Sequence, residues 1–113
     1  MSKNPYVLGV DLGGTNIKFG LISAAGTIIS RTNLATARFF SHKNQLIDAL
    51  IQGCSDLIQK NHLNKTDILG IGIGLPGLVD PQKGLVKFLP NIPGWKNVPL
   101  RNILKKKFLS LYF

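Results

Sequence analysis

The sequence predicts an α/β fold built on a mixed sheet. Three observations carry that expectation. Three short strand-like segments follow one another closely at the N-terminus, one long segment has helical apolar spacing, and a β-branched apolar run comes directly after it. Close-spaced strands pair as a β-meander. A helix leading into an apolar strand implies a parallel partner reached by a crossover.

Residues 6–11 are a short apolar run ending at Asp11 and read as a buried strand. Leu12, Gly13, Gly14, Thr15 and Asn16 are turn chemistry. Residues 17–22 alternate and give a second strand, Ser23 to Gly26 a turn, and residues 27–32 a third strand. Between residues 41 and 61, Leu46, Ile47, Leu50, Ile51, Cys54, Leu57 and Ile58 recur at i, i+3, i+4, i+7, as on one face of a helix. Ser41 is placed to cap its start. Gly53 inside it costs ~1 kcal/mol relative to alanine, which points to close packing on the sheet. Residues 68–74 read as a buried strand. Residues 75–99 hold five of the six prolines and read mostly as loop. Residues 100–108 suit a short basic helix, and residues 109–113 a strand.

Composition narrows the function. With 113 residues and 44% apolar content the chain forms one small domain with a core and is not a disordered tail. No apolar run reaches the roughly 18 residues that span a bilayer, and the N-terminus lacks a signal-peptide pattern, so a cytoplasmic protein is expected. A single cysteine, Cys54, forms neither an internal disulfide nor a multi-cysteine zinc site. Fourteen Lys and Arg face five Asp and no Glu, for a net charge of +9. Lys96, Arg101, Lys105, Lys106 and Lys107 crowd the C-terminal end with no acid among them. A basic chain attracts polyanions. No aromatics alternate with these cations as a base-stacking platform needs, so a solvated helix face is preferred to a nucleic-acid surface.

The chemistry concentrates in residues 11–18. Adjacent Gly13 and Gly14 let a backbone approach closely or take positive φ, and successive N–H groups in such a turn bind an anion. Thr15 and Asn16 add side-chain donors, and Lys18 follows in the next strand. Asp11 beside a bound phosphate needs an intervening cation, and Mg²⁺ supplies one, held by few carboxylates, waters and phosphate oxygens. The alternative is an ordinary Gly-Gly hairpin capped by Asp11. Gly72, Gly74 and Gly77 spell G-x-G-x-x-G, but Pro76 and Pro81 oppose the helix a dinucleotide site requires. This segment is better read as a glycine-rich strand end with room for a ligand. Asn91 pairs a donor with an acceptor, and Trp95 offers a flat apolar face. Together they suit a sugar, the alternative being that Trp95 anchors the core. His42 and His62 flank the helix in solvent, and Cys54 is a core residue. The sequence holds no Ser-His-Asp set, no metal-ligand cluster and no acidic pair of glycosidase type.

Taken in order, these segments resemble the N-terminal part of the ROK family of sugar kinases. D-x-G-G-T-x-x-K is met by Asp11, Gly13, Gly14, Thr15 and Lys18. G-x-G-x-P-G is met by Gly72, Gly74, Pro76 and Gly77, and the N-x-P-G-W of glucokinase-like members by Asn91, Pro93, Gly94 and Trp95. The resemblance covers residues 5–108. It implies a partial N-terminal lobe of the actin-like, ribonuclease-H-like ATPase fold, in which ATP gives its γ-phosphate to the 6-hydroxyl of a hexose, glucose first. Asp11 would organise Mg²⁺, and Gly13, Gly14, Thr15 and Asn16 would hold the phosphates with Lys18 nearby. Gly74, Pro76, Gly77 and Asn91, with Trp95, would line the sugar.

The resemblance also marks departures. Family members carry a strand ending in Asn-Asp after the basic helix, whose Asp is the general base. Residues 109–113 contain neither. The family's Glu-x-x-His, its zinc motif, the adenosine pocket and the second lobe are also missing. The expectation is a single truncated lobe over residues 1–113, inactive alone and prone to self-associate through an open sheet edge. The competing readings are a non-catalytic anion-binding module, a small basic nucleic-acid binder, and a ROK-type regulator, for whose DNA-binding domain the ten residues before Asp11 leave no room.

Overall fold

The structure is a computed structural model that describes residues 5–35, 43–90, 92 and 94–109. Its first sheet has four strands. β1 (Tyr6–Leu12), β2 (Asn16–Ser23) and β3 (Ile28–Ala35) form the expected meander, and α1 (Lys43–Lys60) leads to β4 (Ile68–Gly74). The strand order is β3-β2-β1-β4, with β4 parallel to β1. The helix therefore carries the chain from one edge of the sheet to the other, beneath β2 and β1.

Alternation decides which face is which. Leu8, Val10 and Leu12 of β1 and Ile17, Phe19 and Leu21 of β2 are buried. They meet Leu46, Ile47, Leu50, Cys54, Leu57 and Ile58 of α1 in one core. Gly53 is explained by this contact: a Cβ there would land in the Phe19 ring. The start of α1 at Ser41 and the neighbouring His42 lie outside the described residues. Its end is a Schellman cap, in which Leu63 N–H donates to the Ile58 carbonyl (3.0 Å) and His62 N–H to Gln59 (3.1 Å). His62 takes the left-handed φ of 57° usually given to glycine, and is exposed. With histidine in that place, no glycine signals the stop.

One expectation changes and another gains detail. β4 is an edge strand rather than a buried one. Ile68, Ile71 and Ile73 pack half-buried against the core, while Leu69 sits in a bulge between the pairs Tyr6↔Ile68 and Val7↔Gly70 and is 72% exposed. Residues 75–99 are mostly turn and loop as expected, but three short strands punctuate them. These form an antiparallel three-stranded sheet of β5 (Leu78–Asp80), β6 (Leu85–Phe88) and β7 (Lys96–Val98), in the order β5-β6-β7. Pro81 and Pro90 fall between these strands, Pro76 before β5 and Pro99 after β7, all where no ladder N–H is needed. Proline density thus marks strand ends, and the strands are too short to show a period.

α2 (Leu100–Leu109) closes the fold, one residue longer than expected; residues 110–113 lie outside the described residues. Arg101 ties α2 to the second sheet. Its Nη1 donates to the Pro81 carbonyl (3.2 Å), its Nη2 to Gln82 (2.8 Å), and its own N–H to Gly84 (3.2 Å). Asp80 Oδ1 accepts from the N–H groups of Gln82 and Lys83 in the same turn. One of the C-terminal cations is therefore a structural clamp.

Two tests follow from the core. Gly53→Ala gains helix propensity but overpacks against Phe19. Net destabilisation of about 1–2 kcal/mol is expected in urea unfolding, recovered in part by adding Phe19→Leu. Burial pushes the Cys54 thiol up from 9.0 to about 12. Below pH 9 both folded and unfolded thiols are protonated. Above it only the unfolded chain releases the proton, so stability falls as pH rises toward 12. A Cys54→Ala chain, matched for stability at pH 7, should lose less between pH 9 and pH 11 in the same unfolding assay.

Candidate functional site

The opposite face of the first sheet is open, and its centre has no side chains. Gly9 of β1 pairs with Gly20 of β2 on one side and Gly72 of β4 on the other. A Cβ at Gly20 or Gly72 would meet nothing within 4 Å. The result is a shallow hollow of about 360 Å³, bordered by Asp11, Lys18 and Arg31.

One row further along, Asp11 pairs with Lys18 across the hairpin and with Gly74 across the parallel pair. Asp11 and Lys18 are both exposed. Residues 11 and 74 lie at the C-terminal ends of two parallel strands, which is where open α/β sheets bind ligands. The pairing register therefore brings the start of the 74–77 loop beside the Gly-Gly turn, although sixty residues separate them in the chain.

The turn itself is tight. Gly13 N–H donates to the Asn16 carbonyl (2.9 Å), and a Cβ on Gly13 would stand 3.0 Å from that oxygen. Neither glycine has left-handed backbone, so close approach, not positive φ, requires Gly13. Gly14 and Thr15 form the exposed tip, where Asn16 Nδ2 reaches Thr15 Oγ1 at 3.5 Å. The donor set suits a phosphate: small residues at the tip, a hydroxyl, and Lys18 as the nearby cation. For Mg²⁺ it offers one carboxylate, enough for an ion that keeps its waters and takes its other ligands from phosphate. Among the described residues no group of three His, Cys, Asp or Glu could hold a metal by itself.

Among the described residues Asp11 is the sole aspartate at these strand ends. Asp56 accepts from Gln52 Nε2 on α1 (2.7 Å), Asp67 from Asn64 N–H (2.8 Å), Asp80 closes its own turn, and Asp48 is exposed on α1.

In the 74–77 loop, Gly77 packs against the Phe88 carbonyl so closely that a Cβ would collide with it. β5 follows, so the G-x-G-x-x-G letters precede a strand and not a helix. Pro76 is exposed beside it. Asn91 lies outside the described residues. Trp95 is 2% exposed, a core residue whose ring is not open for stacking, and its Nε1 has no hydrogen-bond partner among the described residues. Sequence reasoning missed Gly9, Gly20 and Arg31. Their signal is the pairing register, which a single strand pattern does not contain.

No described helix is long and apolar enough to cross a membrane. The family model described as the ROK family matches residues 7–110. A glucokinase from Halalkalibacterium halodurans is 34% identical over 108 residues, covering 95% of this chain and 32% of that protein. A xylose repressor from Caldicellulosiruptor bescii is 34% identical over 102 residues, covering 90% of this chain and 25% of that one. The chain thus spans about a third or less of the length of these relatives. The crystal structure of a ROK family glucokinase from Streptomyces griseus, in complex with glucose and AMPPNP, superposes with a TM-score of 0.72 at 28% identity, covering 90% of this chain and 30% of that one. The mixed sheet with its meander, crossover helix and parallel strand is the N-terminal lobe of the actin-like ATPase fold found in ROK sugar kinases. On sequence and fold together, the chain belongs to the ROK family.

Proposed function

We propose that this chain supplies the phosphate-binding half of an ATP-dependent hexose kinase cleft, with glucose the first sugar to test. The observation that carries the reading is the row Lys18–Asp11–Gly74, which sets the Gly-Gly turn beside the 74–77 loop at the ends of parallel strands. In this reading Gly13 shapes the turn, and Gly14, Thr15 and Asn16 with Lys18 hold the phosphates. Asp11 orients Mg²⁺ through water, while Gly74, Pro76, Gly77 and Asn91 form the sugar side. Bound Mg²⁺ would neutralise charge on the transferring phosphate. Trp95 supports that side from the core. A second reading keeps the sugar and loses the chemistry, and is favoured by the xylose repressor, as similar in identity as the glucokinase.

Calorimetry with MgATP on the 113-residue chain separates the two readings. Wild-type chain should bind weakly, and Gly13→Val, which pushes a branched side chain onto the Asn16 carbonyl, should weaken binding about tenfold or more. Equal affinity in both chains would overturn the phosphate role. Sugar binding with no response to MgATP would favour the repressor-like reading.

Turnover by the chain alone should fall far below the ordinary kinase range of about 1–100 s⁻¹. A missing general base typically costs about 10²–10⁴-fold, and none of the other four aspartates stands beside Asp11. A coupled assay with glucose, mannose and N-acetylated hexosamines checks this. Turnover near ~1 s⁻¹ that vanishes in Asp11→Asn would contradict it.

A further inference from the structure

Trp95 is the only tryptophan in the chain and is 2% exposed, yet its Nε1–H has no hydrogen-bond partner. Among the described residues it is the one buried side-chain polar atom in that state. A buried donor without an acceptor has lost its bond to water and gained nothing in exchange, which costs more than an ordinary hydrogen bond contributes. The indole is enclosed by this chain's own core, so no group arriving from outside reaches Nε1 without displacing that core. An acceptor has to come from the surroundings of Trp95 itself.

Those surroundings are sharply bent. Trp95 N–H donates to the Ile92 carbonyl over a long 3.4 Å, and Lys96 N–H donates to the Gly94 carbonyl at 3.0 Å. Gly94 has a left-handed φ of 84°. Asn97 has one of 53°, which a residue other than glycine adopts at a cost. Two left-handed residues thus bracket the buried indole, and strained backbone of this kind collects at ligand clamps and switch segments. The Ile92 carbonyl has two lone pairs and, with one long bond, capacity for another.

We propose that Trp95 is a positioning residue for the sugar side. Its Nε1–H is unpaired in the empty site and gains a backbone carbonyl of its own turn when a hexose binds against the 74–77 loop. Trp95 acts in this way only if residues 74–77 hold the sugar, the role proposed for them above.

Packing connects the two places. At Gly77 an added Cβ would collide with the Phe88 carbonyl and stand 3.2 Å from Leu89 Cδ1. Leu89, also 2% exposed, belongs to the same buried cluster as Ile92 and Trp95. On the other flank, a Cβ on Gly94 would lie 3.7 Å from Lys43 Cβ, in the first turn of α1. α1 returns the chain from the end of β3 to the start of β4, so its first turn stands at the Asp11 end of the sheet. Trp95 therefore sits between the 74–77 loop and the helix start, at the strand ends where ligands bind. A hexose pressing on the loop displaces Leu89, and a close-packed interior passes the displacement to the indole. Pairing the N–H offsets the cost of deforming the turn, so the hexose binds the deformed setting more tightly than it would without that donor.

A single tryptophan gives a single indole cross-peak in the ¹⁵N-labelled 113-residue chain. Without sugar its proton should resonate upfield, as an indole N–H lacking an acceptor does, and glucose should move it downfield. Replacing Trp95 by benzothienylalanine, which puts sulfur in place of N–H at nearly the same shape, should weaken glucose binding about fivefold. Urea unfolding of the sugar-free chain should be unchanged or shifted to higher urea, whereas a purely structural indole bond would make it fall. An indole proton already downfield without sugar would overturn the proposal, and so would equal glucose affinity in the sulfur isostere. Glucose shifts at the Gly74 and Gly77 amides with the indole unmoved would overturn it too, and leave the sugar role of the loop standing. No response to glucose anywhere would overturn both.

Discussion

β1 cannot have β4 as a parallel neighbour unless the chain returns to the same end of the sheet before β4 begins. A hairpin cannot do that, and α1 does. That single requirement sets most of the architecture. It fixes α1 to one face, so Leu8, Val10, Phe19 and Leu21 are buried there and the residues between them turn the other way. It also makes the C-terminal ends of β1 and β4 coincide. Asp11 then has Lys18 on one flank and Gly74 on the other, and an exposed carboxylate, a tight turn and a glycine-rich loop share one end of the sheet.

Elements with a long enough period are readable from the residues alone. α1 repeats its apolar positions along its whole length, and even the penalty at Gly53 points correctly to close packing. The meander is readable because Gly-rich turns punctuate alternating strands. The second sheet is not. β5 and β7 have three residues each, fewer than two full alternations, and the prolines around them look like loop until the strands between are known. β4 is recognisable as a strand, but its edge position depends on which strands join the sheet, which its own residues do not record.

The candidate site divides in the same way. The turn after Asp11 is legible as a turn because Gly13, Gly14 and Asn16 are turn chemistry between two alternating strands. That Gly74 stands directly beside Asp11 is not, because register is a relation between segments. Trp95 shows the opposite error. An aromatic in a proline-bounded loop suggests a stacking surface, yet Ile92, Trp95 and Val98 are buried and complete the core. Charge counting is similarly blind to Arg101, whose guanidinium is engaged by backbone carbonyls rather than by an external anion.

The lane formed by Gly20, Gly9 and Gly72 has a thermodynamic consequence. Each glycine in a strand interior gives up roughly 0.5–1 kcal/mol, because it has more conformational freedom to lose on folding than alanine. At Gly20 and Gly72 no neighbour in the chain forbids a larger residue. Across the three positions the chain forgoes about 2 kcal/mol, against a total of about 5–15 kcal/mol for an ordinary domain. The cohesion of the sheet therefore rests disproportionately on its helix-covered side, and shedding α1 would leave these strands with little to hold them in register.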